Sequence, residues 1–283
     1  MTPDTRALTD VTFVAFDTET TGLRPLVHKL VEVGAVRFRG TGEELETFQQ
    51  LIDPQEVIPE DVQRIHGIRQ AMVRGQPTAD RVLPRFVQCF GPPDTILLAH
   101  NAPFDLGFLA MAMIRVGMEH PPHRIFDTLA LARLLGPSST SYSLEHVAVR
   151  LQVAQAAPHR ALGDARLVKD VFLALVQRLP MPKTVANLAR LAPPLTFADT
   201  PVAPIAPPPG FDALATALAE RCALMMIYEG SRAHATPRAI TPRVLWASRG
   251  VTYVTAYCHL DRVEKTFRLD RMRACWVEKP RTS

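Results

Sequence analysis

Phe16-Asp17-Thr18-Glu19-Thr20-Thr21-Gly22 decides how the first half of the chain is read. It closes the run Val11-Thr12-Phe13-Val14-Ala15-Phe16, whose β-branched and aromatic residues favour a strand. Side chains two apart on a strand leave from the same face, so Asp17 and Glu19 emerge together. Carboxylates held that close repel each other unless a proton or a cation lies between them. Taken alone, the pair is equally compatible with a solvated turn.

Outward from this stretch, the sequence predicts further strands at Lys29–Phe38, Leu45–Leu51, Thr95–Ala99 and Arg124–Asp127. Helices are predicted at Val82–Phe90, Ala102–Val116, Leu129–Leu135, Leu144–Leu151 and Gly163–Leu179. Strands first, then strands alternating with helices, make a mixed sheet covered by helices. Two more carboxylates stand at marked places in this pattern. In Ala99-His100-Asn101-Ala102-Pro103-Phe104-Asp105 an apolar strand runs into an Asn placed to cap a helix, with Pro and Asp105 in the first turn. The helix dipole favours the ionised form of Asp105 there, which is also what a simple helix start would need. In His159-Arg160-Ala161-Leu162-Gly163-Asp164, Asp164 shares a helical stripe with Val168 and Val171. A lone carboxylate on an apolar face is costly unless paired or bound to metal. Five residues of helix rotate by ~500°, so His159 meets Asp164 only if it sits on the lead-in loop after Pro158.

Together the three segments resemble the DEDDh (DnaQ-like) 3′–5′ exonuclease superfamily over residues ~10–180. Ile65-His66-Gly67-Ile68, Asp127-Thr128-Leu129 and Tyr142-Ser143-Leu144 are secondary marks of the same resemblance. It implies an RNase H-like fold with a five-stranded mixed sheet, in the α/β class. It also implies two divalent cations, Mg2+ or Mn2+, roughly 4 Å apart, that activate water and hold the leaving 3′ oxygen. Under the resemblance Asp17 bridges both ions, Glu19 and Asp164 complete one, Asp105 acts on the other, and His159 is the general base. Thr20, Leu23, Asp61, His66, Asn101 and Phe104 match or flank positions near the terminal nucleotide. Each also has a structural reading: Asn101 as a cap, Phe104 as core, His66 as a turn residue. Asp127 reads as structural. The implied substrates are single-stranded 3′ ends, DNA favoured and RNA included, cut to nucleoside monophosphates. Nothing in the sequence points to a polymerase partner, and a homodimer stays open.

The 283 residues have ordinary globular composition, 47% hydrophobic and 21% charged, which excludes wholesale disorder and makes two domains the first expectation. No apolar run approaches the ~18 residues of a membrane span, and the first residues lack the basic and apolar pattern of an export signal. Cys89, Cys222, Cys258 and Cys275 form no C-x-x-C pair, which suits reduced thiols in a cytoplasmic protein. The chain divides where Pro193, Pro194, Pro201, Pro204, Pro207, Pro208 and Pro209 crowd together, read as an extended linker over 191–210. Residues 1–190 carry 20 Lys+Arg and 20 Asp+Glu; residues 191–283 carry 12 and 8, so the net charge of +4 lies in the second piece.

That piece, 211–283, opens with a predicted helix, Phe211–Ala223. Short runs follow at Leu224–Tyr228, Ala239–Ala247, Val251–Cys258, Val263–Leu269 and Ala274–Val277, with a hairpin signal at Ser248-Arg249-Gly250. The pattern is that of a small β-barrel or sandwich. Arg238-x-Ile240-x-Pro242, Val251-Thr252-Tyr253-Val254 and Phe267-Arg268-Leu269-Asp270-Arg271 resemble a WYL domain over ~211–280. Thr252-Tyr253-Val254 stands where that family usually has Trp-Tyr-Leu, which leaves ligand preference open. The resemblance implies an Sm/SH3-like β-barrel that binds nucleic acid or a regulatory ligand. Arg243, Tyr253, Arg268 and Arg271 are the candidates for its binding face, against the alternative of a solvated basic surface.

Overall fold

Nine residues of strand, β1 (Thr12–Thr20), form the centre of the first sheet in the computed structural model, which describes residues 4–153, 160–200, 203–230, 235–248 and 250–277. β1 pairs antiparallel with β2 (Leu30–Arg39), which pairs antiparallel with β3 (Glu44–Leu51). Three helices follow: α1 (Glu60–His66), α2 (Gln70–Val73) and α3 (Ala79–Cys89). The chain then returns through β4 (Ile96–Ala99), parallel to β1, α4 (Ala102–Val116) and β5 (Arg124–Asp127), parallel to β4. Helices α5 (Thr128–Leu135), α6 (Leu144–Leu151), α7 (Ala161–Val176) and α8 (Val185–Leu191) complete this unit. The sheet order β3-β2-β1-β4-β5 is the mixed, five-stranded RNase H-like arrangement that the resemblance implies.

Burial explains the layers. Phe13 and Ala15 on β1, with Val36 and Phe38 on β2, face α7 through Val168, Val171 and Phe172. The Phe13 ring lies 4.8 Å from Phe172 and 5.6 Å from Phe38. Phe16, of opposite parity, meets Phe86 of α3 and Phe90. Both faces are covered, which is why β1 and β2 read as near-continuous apolar runs. Predicted and observed ends differ by a few residues, and β1 extends beyond Phe16 to Thr20 because the ladder with β2 continues under the polar residues. Helices α1, α2 and α8 carry four to seven residues each and bury few side chains, so no apolar period announces them.

Residues 1–110 and 120–200 form one compact unit, and 201–283 with 111–119 form a second. In the proline-rich stretch, Leu195 exchanges both backbone hydrogen bonds with Ile125 at 2.8 Å, and Phe197 is buried. Further on, β6 (Ala203–Pro204) pairs with the second sheet, and the N–H of Ile205 donates to Leu245. The stretch is thus tied down at both ends by the residues between its prolines.

The second unit has α9 (Asp212–Glu220), then β7 (Leu224–Glu229), β8 (Ala235–Ser248), β9 (Val251–Cys258), β10 (Val263–Arg268) and β11 (Met272–Val277). The order β10-β9-β8-β7-β11 is antiparallel throughout. Leu214 and Ala217 of α9 pack on Leu224, Ile240, Val254 and Phe267. Ser248 faces Val251 across the expected hairpin, with Gly250 at φ 77°. Among the described residues the pairing shows the antiparallel sheet of the small β-barrel or sandwich expected from sequence, with no ladder joining β10 to β11. No described helix is long and apolar enough to cross a membrane.

Candidate active site

Alternation along β1 places its carboxylates. Asp17 and Glu19 share the parity of Phe13 and Ala15 and so leave the sheet on the α7 side. Register sets Asp17 opposite Gly34 and Glu19 opposite Glu32. A Cβ on Gly34 would lie 2.2 Å from the carbonyl carbon of Ala161 and from the nitrogen of Leu162. The missing side chain is what lets the first turn of α7 rest on β2. Asp164, in that turn, is thereby carried to the end of β1 and buried. Asp17, Glu19 and Asp164 each bring a carboxylate oxygen within 4.8 Å of the other two.

Asp105 joins from the other side of β1. The β1–β4 ladder ends at Ala15–Leu98, which leaves the Thr18 N–H beyond it. Asp105 Oδ1, in the first turn of α4, accepts that N–H at 3.0 Å and the Thr18 hydroxyl at 2.8 Å. Since Thr18 lies between Asp17 and Glu19, the bond fixes α4 to the same strand end.

The electrostatics follow from burial of like charge. Desolvation, then the charges of Asp105, Glu19, Asp164 and Glu32, push Asp17 well above the usual carboxylate range. Burial, then Asp164, Glu32 and Asp105, raises Glu19 to about 8, with Arg160 pulling the other way. Burial raises Asp105 to about 7 against the hydrogen bonds from Thr18. A cluster of oxygen donors in this state takes up protons or hard divalent cations, and its all-carboxylate chemistry fits Mg2+ or Mn2+.

Glu32 was not singled out in the sequence. It is wholly buried beside the cluster, accepting from Arg160 Nη2 at 2.6 Å, Gln49 Nε2 at 2.9 Å and the Ala161 N–H at 3.0 Å. Its signal was available: one charge inside the apolar run Leu30-Val31-Glu32-Val33-Gly34-Ala35-Val36. His159 lies outside the described residues, immediately before Arg160.

The other candidates divide. Thr20 is buried next to Glu19, and its hydroxyl donates to the Gly22 carbonyl at 2.7 Å. Leu23 is 79% exposed on the loop that Thr21 and Lys29 close. Asn101 is exposed with φ 61°, and its N–H donates to Asp127 Oδ1 at 2.8 Å, so it turns the chain into α4. Phe104 is half-buried, its ring 5.0 Å from Phe108. Asp61 is exposed at the start of α1 and His66 buried at its end, where Nδ1 accepts from Ile68 N–H at 2.9 Å. Both belong to α1. Asp127 caps α5 by accepting the Leu129 N–H, the structural role read from sequence.

In the second unit Arg243 is exposed and 3.6 Å from Glu264. Arg268 forks onto Asp270 at 3.0 and 2.7 Å. Tyr253 stacks on buried Trp246, centroids 4.3 Å apart. Arg268 ends β10 and Arg271 ends the following 3₁₀ turn, Leu269–Arg271, so the two do not share one strand face.

The family model described as "Exonuclease" matches residues 14–172, and the model described as "WYL domain" matches 209–277. The DNA polymerase III PolC-type of Clostridium perfringens is 37% identical over 165 residues, which are 58% of this chain and 11% of the polymerase. The solved structure of exonuclease X in complex with 5′ overhanging duplex DNA is 26% identical, with a TM-score of 0.50, covering 63% of this chain and 98% of that one. E. coli exonuclease I, solved with a dT13 oligonucleotide, is similar in fold at 17% identity, with a TM-score of 0.55 over 84% of this chain and 55% of that chain.

Proposed function

This chain belongs to the exonuclease family, and from that premise we propose that it is a metal-dependent 3′–5′ exonuclease releasing nucleoside monophosphates from single-stranded 3′ ends, DNA in preference to RNA. The observation that carries the reading is the group Asp17, Glu19 and Asp164, within 4.8 Å of one another and joined through Thr18 to Asp105. Asp17, Glu19 and Asp164 would hold one divalent cation, and Asp17 with Asp105 a second, Mg2+ or Mn2+. Bound there, such ions lower the pKa of water and stabilise the leaving 3′ oxygen. His159 would take the proton of the attacking water on a ring nitrogen, whose ordinary pKa near ~6.5 leaves it largely neutral at pH 7. Thr20, Leu23, Asn101 and Phe104 flank the carboxylates in the chain and would receive the terminal nucleotide, with Asp61 and His66 contributing from α1. The solved relative that holds overhanging duplex DNA favours DNA ends. We assign catalysis to 1–190, the connection to 191–210 and the accessory module to 211–283, in a cytoplasmic protein whose four cysteines are free.

The test is digestion of end-labelled single- and double-stranded DNA and RNA. Mononucleotide release from 3′ ends with Mg2+ or Mn2+, lost in EDTA and in Asp17→Asn, is expected. Release unchanged by either treatment overturns the reading.

A second reading gives the accessory module a regulatory task in place of holding the strand. It is favoured by local charge pairing, since Arg238, Arg243, Arg268 and Arg273 each face an acid of their own unit. Oligonucleotide binding by the full Asp17→Asn chain at several salt concentrations separates the two. Strand holding by the module gives a salt slope that falls when its arginines are removed; regulation leaves that slope unchanged.

A further inference from the structure

Glu32 has no part in the scheme above, yet it is the most completely buried acid beside the cluster. Burying an anion next to like charges is costly unless each oxygen is engaged. Here both are. Oε1 accepts Arg160 Nη2 at 2.6 Å and Gln49 Nε2 at 2.9 Å; Oε2 accepts Arg160 Nε at 3.0 Å and the Ala161 N–H at 3.0 Å. The last bond matters most. Ala161 begins α7, and the residue before it, Arg160, makes no side-chain cap. The first N–H groups of a helix have no partner within it, and an anion is favoured there. A side chain from another strand therefore caps α7, while the flanking guanidinium compensates its charge.

We propose that Glu32 and Arg160 form a latch that positions the active site, rather than serving stability alone. Gly34 sets how near α7 lies to β2, and the latch sets where along β2, and in what rotation, the helix begins. Asp164 is one turn further on, its N–H donating to the Arg160 carbonyl at 3.0 Å, so it borrows its placement from the latch. Glu32 is a positioning residue: it acts through Ala161 and Arg160 on groups that would do the chemistry. The inference rests on the exonuclease reading only in taking Asp164 as a site residue.

The latch is tested in the full chain by Glu32→Gln, Arg160→Met and the double variant, with kcat and KM for 3′-end release. Gln fills the same volume but turns an amide toward the guanidinium, and the side chain of Arg160 is 41% exposed, so its loss leaves the core intact. Each single variant is expected to lower kcat on the order of 10- to 100-fold, the range for residues that orient a metal-binding shell, with KM within about threefold. The double variant loses no more than the worse single one, because both break one unit. Amide hydrogen exchange at Ala161 speeds up in all three. Folded variants with wild-type kcat, losses confined to KM, or losses that multiply in the double would each overturn the latch. If Glu32→Gln does not fold, Arg160→Met carries the same test. An inert wild-type chain sinks the exonuclease reading instead, whereas an active one that dies in Asp17→Asn and ignores the latch variants sinks only the latch.

Discussion

At the end of β1, Asp17, Glu19 and Asp164 crowd within 4.8 Å, and the nearby base Arg160 is held by Glu32. In the C-terminal sheet the same kinds of side chain are arranged in the opposite way. Asp261 receives Lys265 at 2.8 Å and Arg238 at 2.9 Å, and hydrogen bonds from Lys265 and Cys258 pull its carboxyl down to about 2. Asp270 receives Arg268 and lies below the ordinary range for the same reason. Near the surface, opposite charges settle in pairs worth little, with a median of ~0–1 kcal/mol. In the interior, like charges are held together at a cost, and that cost marks a site built to take up cations. Net charge concealed this: the neutral first piece of the sequence holds the strong electrostatics, while in the piece with the excess of +4 Arg238, Arg243, Arg268 and Arg273 each pair with an acid.

Removing one of the crowded carboxylates sharpens the contrast most. Asp17→Asn should abolish 3′-end release by more than about 100-fold, beyond what a residue acting at one remove loses. The same variant should be more stable than wild type in EDTA, since it relieves repulsion and desolvation together. Thermal melts that show it destabilised without metal would mean the carboxylates are compensated in a way the burial does not reveal.

Gly34→Ala attacks the geometry rather than the charge. Its new methyl must displace the backbone of Ala161 and Leu162, with a cost of about 1–3 kcal/mol for overpacking. Activity should fall further than that stability loss accounts for, because Asp164 moves with α7. Equal activity per folded molecule would show that the helix can retreat without disturbing the site.

The effect of pH is subtler. Glu19 and Asp105 rise to about 8 and about 7 on folding, so the folded chain holds protons that the unfolded chain has released. For raised carboxyls the favourable contribution is complete below the unfolded values near ~4 and disappears as pH climbs through 7 and 8. Melting in EDTA should therefore drop by several degrees between pH 5 and 8, and Mg2+ should flatten the trend. A melting temperature that rises over that window contradicts the buried cluster.

How much of this was legible beforehand depended on whether a signal was local. Asp17, Glu19, Asp105 and Asp164 could be read because each sits at a strand end or helix start with its own short-range pattern, and β1, β2, α4 and α7 lie near their expected places. Glu32 escaped because its meaning is nonlocal: its partner Arg160 lies 128 residues away in sequence. Gly34 escaped for the same reason, since a strand glycine shows its purpose only when another backbone rests on it. In the second unit the arginines were legible but their pairing was not. Arg268 and Asp270 are two residues apart, yet only the turn after β10 folds one onto the other.

That pairing yields the smallest and most discriminating expectation. If the accessory module holds the strand, its arginines must give up their acids to reach phosphate, an exchange of one ion pair for another with little net gain. Arg243→Ala and Arg268→Ala in the Asp17→Asn chain should then weaken oligonucleotide binding only a few-fold, and lower the salt slope by about one for each phosphate left unneutralised. Asp270→Ala should do the reverse, since it frees Arg268 without touching the unit that the exonuclease family model matches. Stronger binding and a steeper slope in Asp270→Ala would place the strand on this sheet. No change in either direction would mean that these arginines are surface pairs and that the module answers to something other than phosphate.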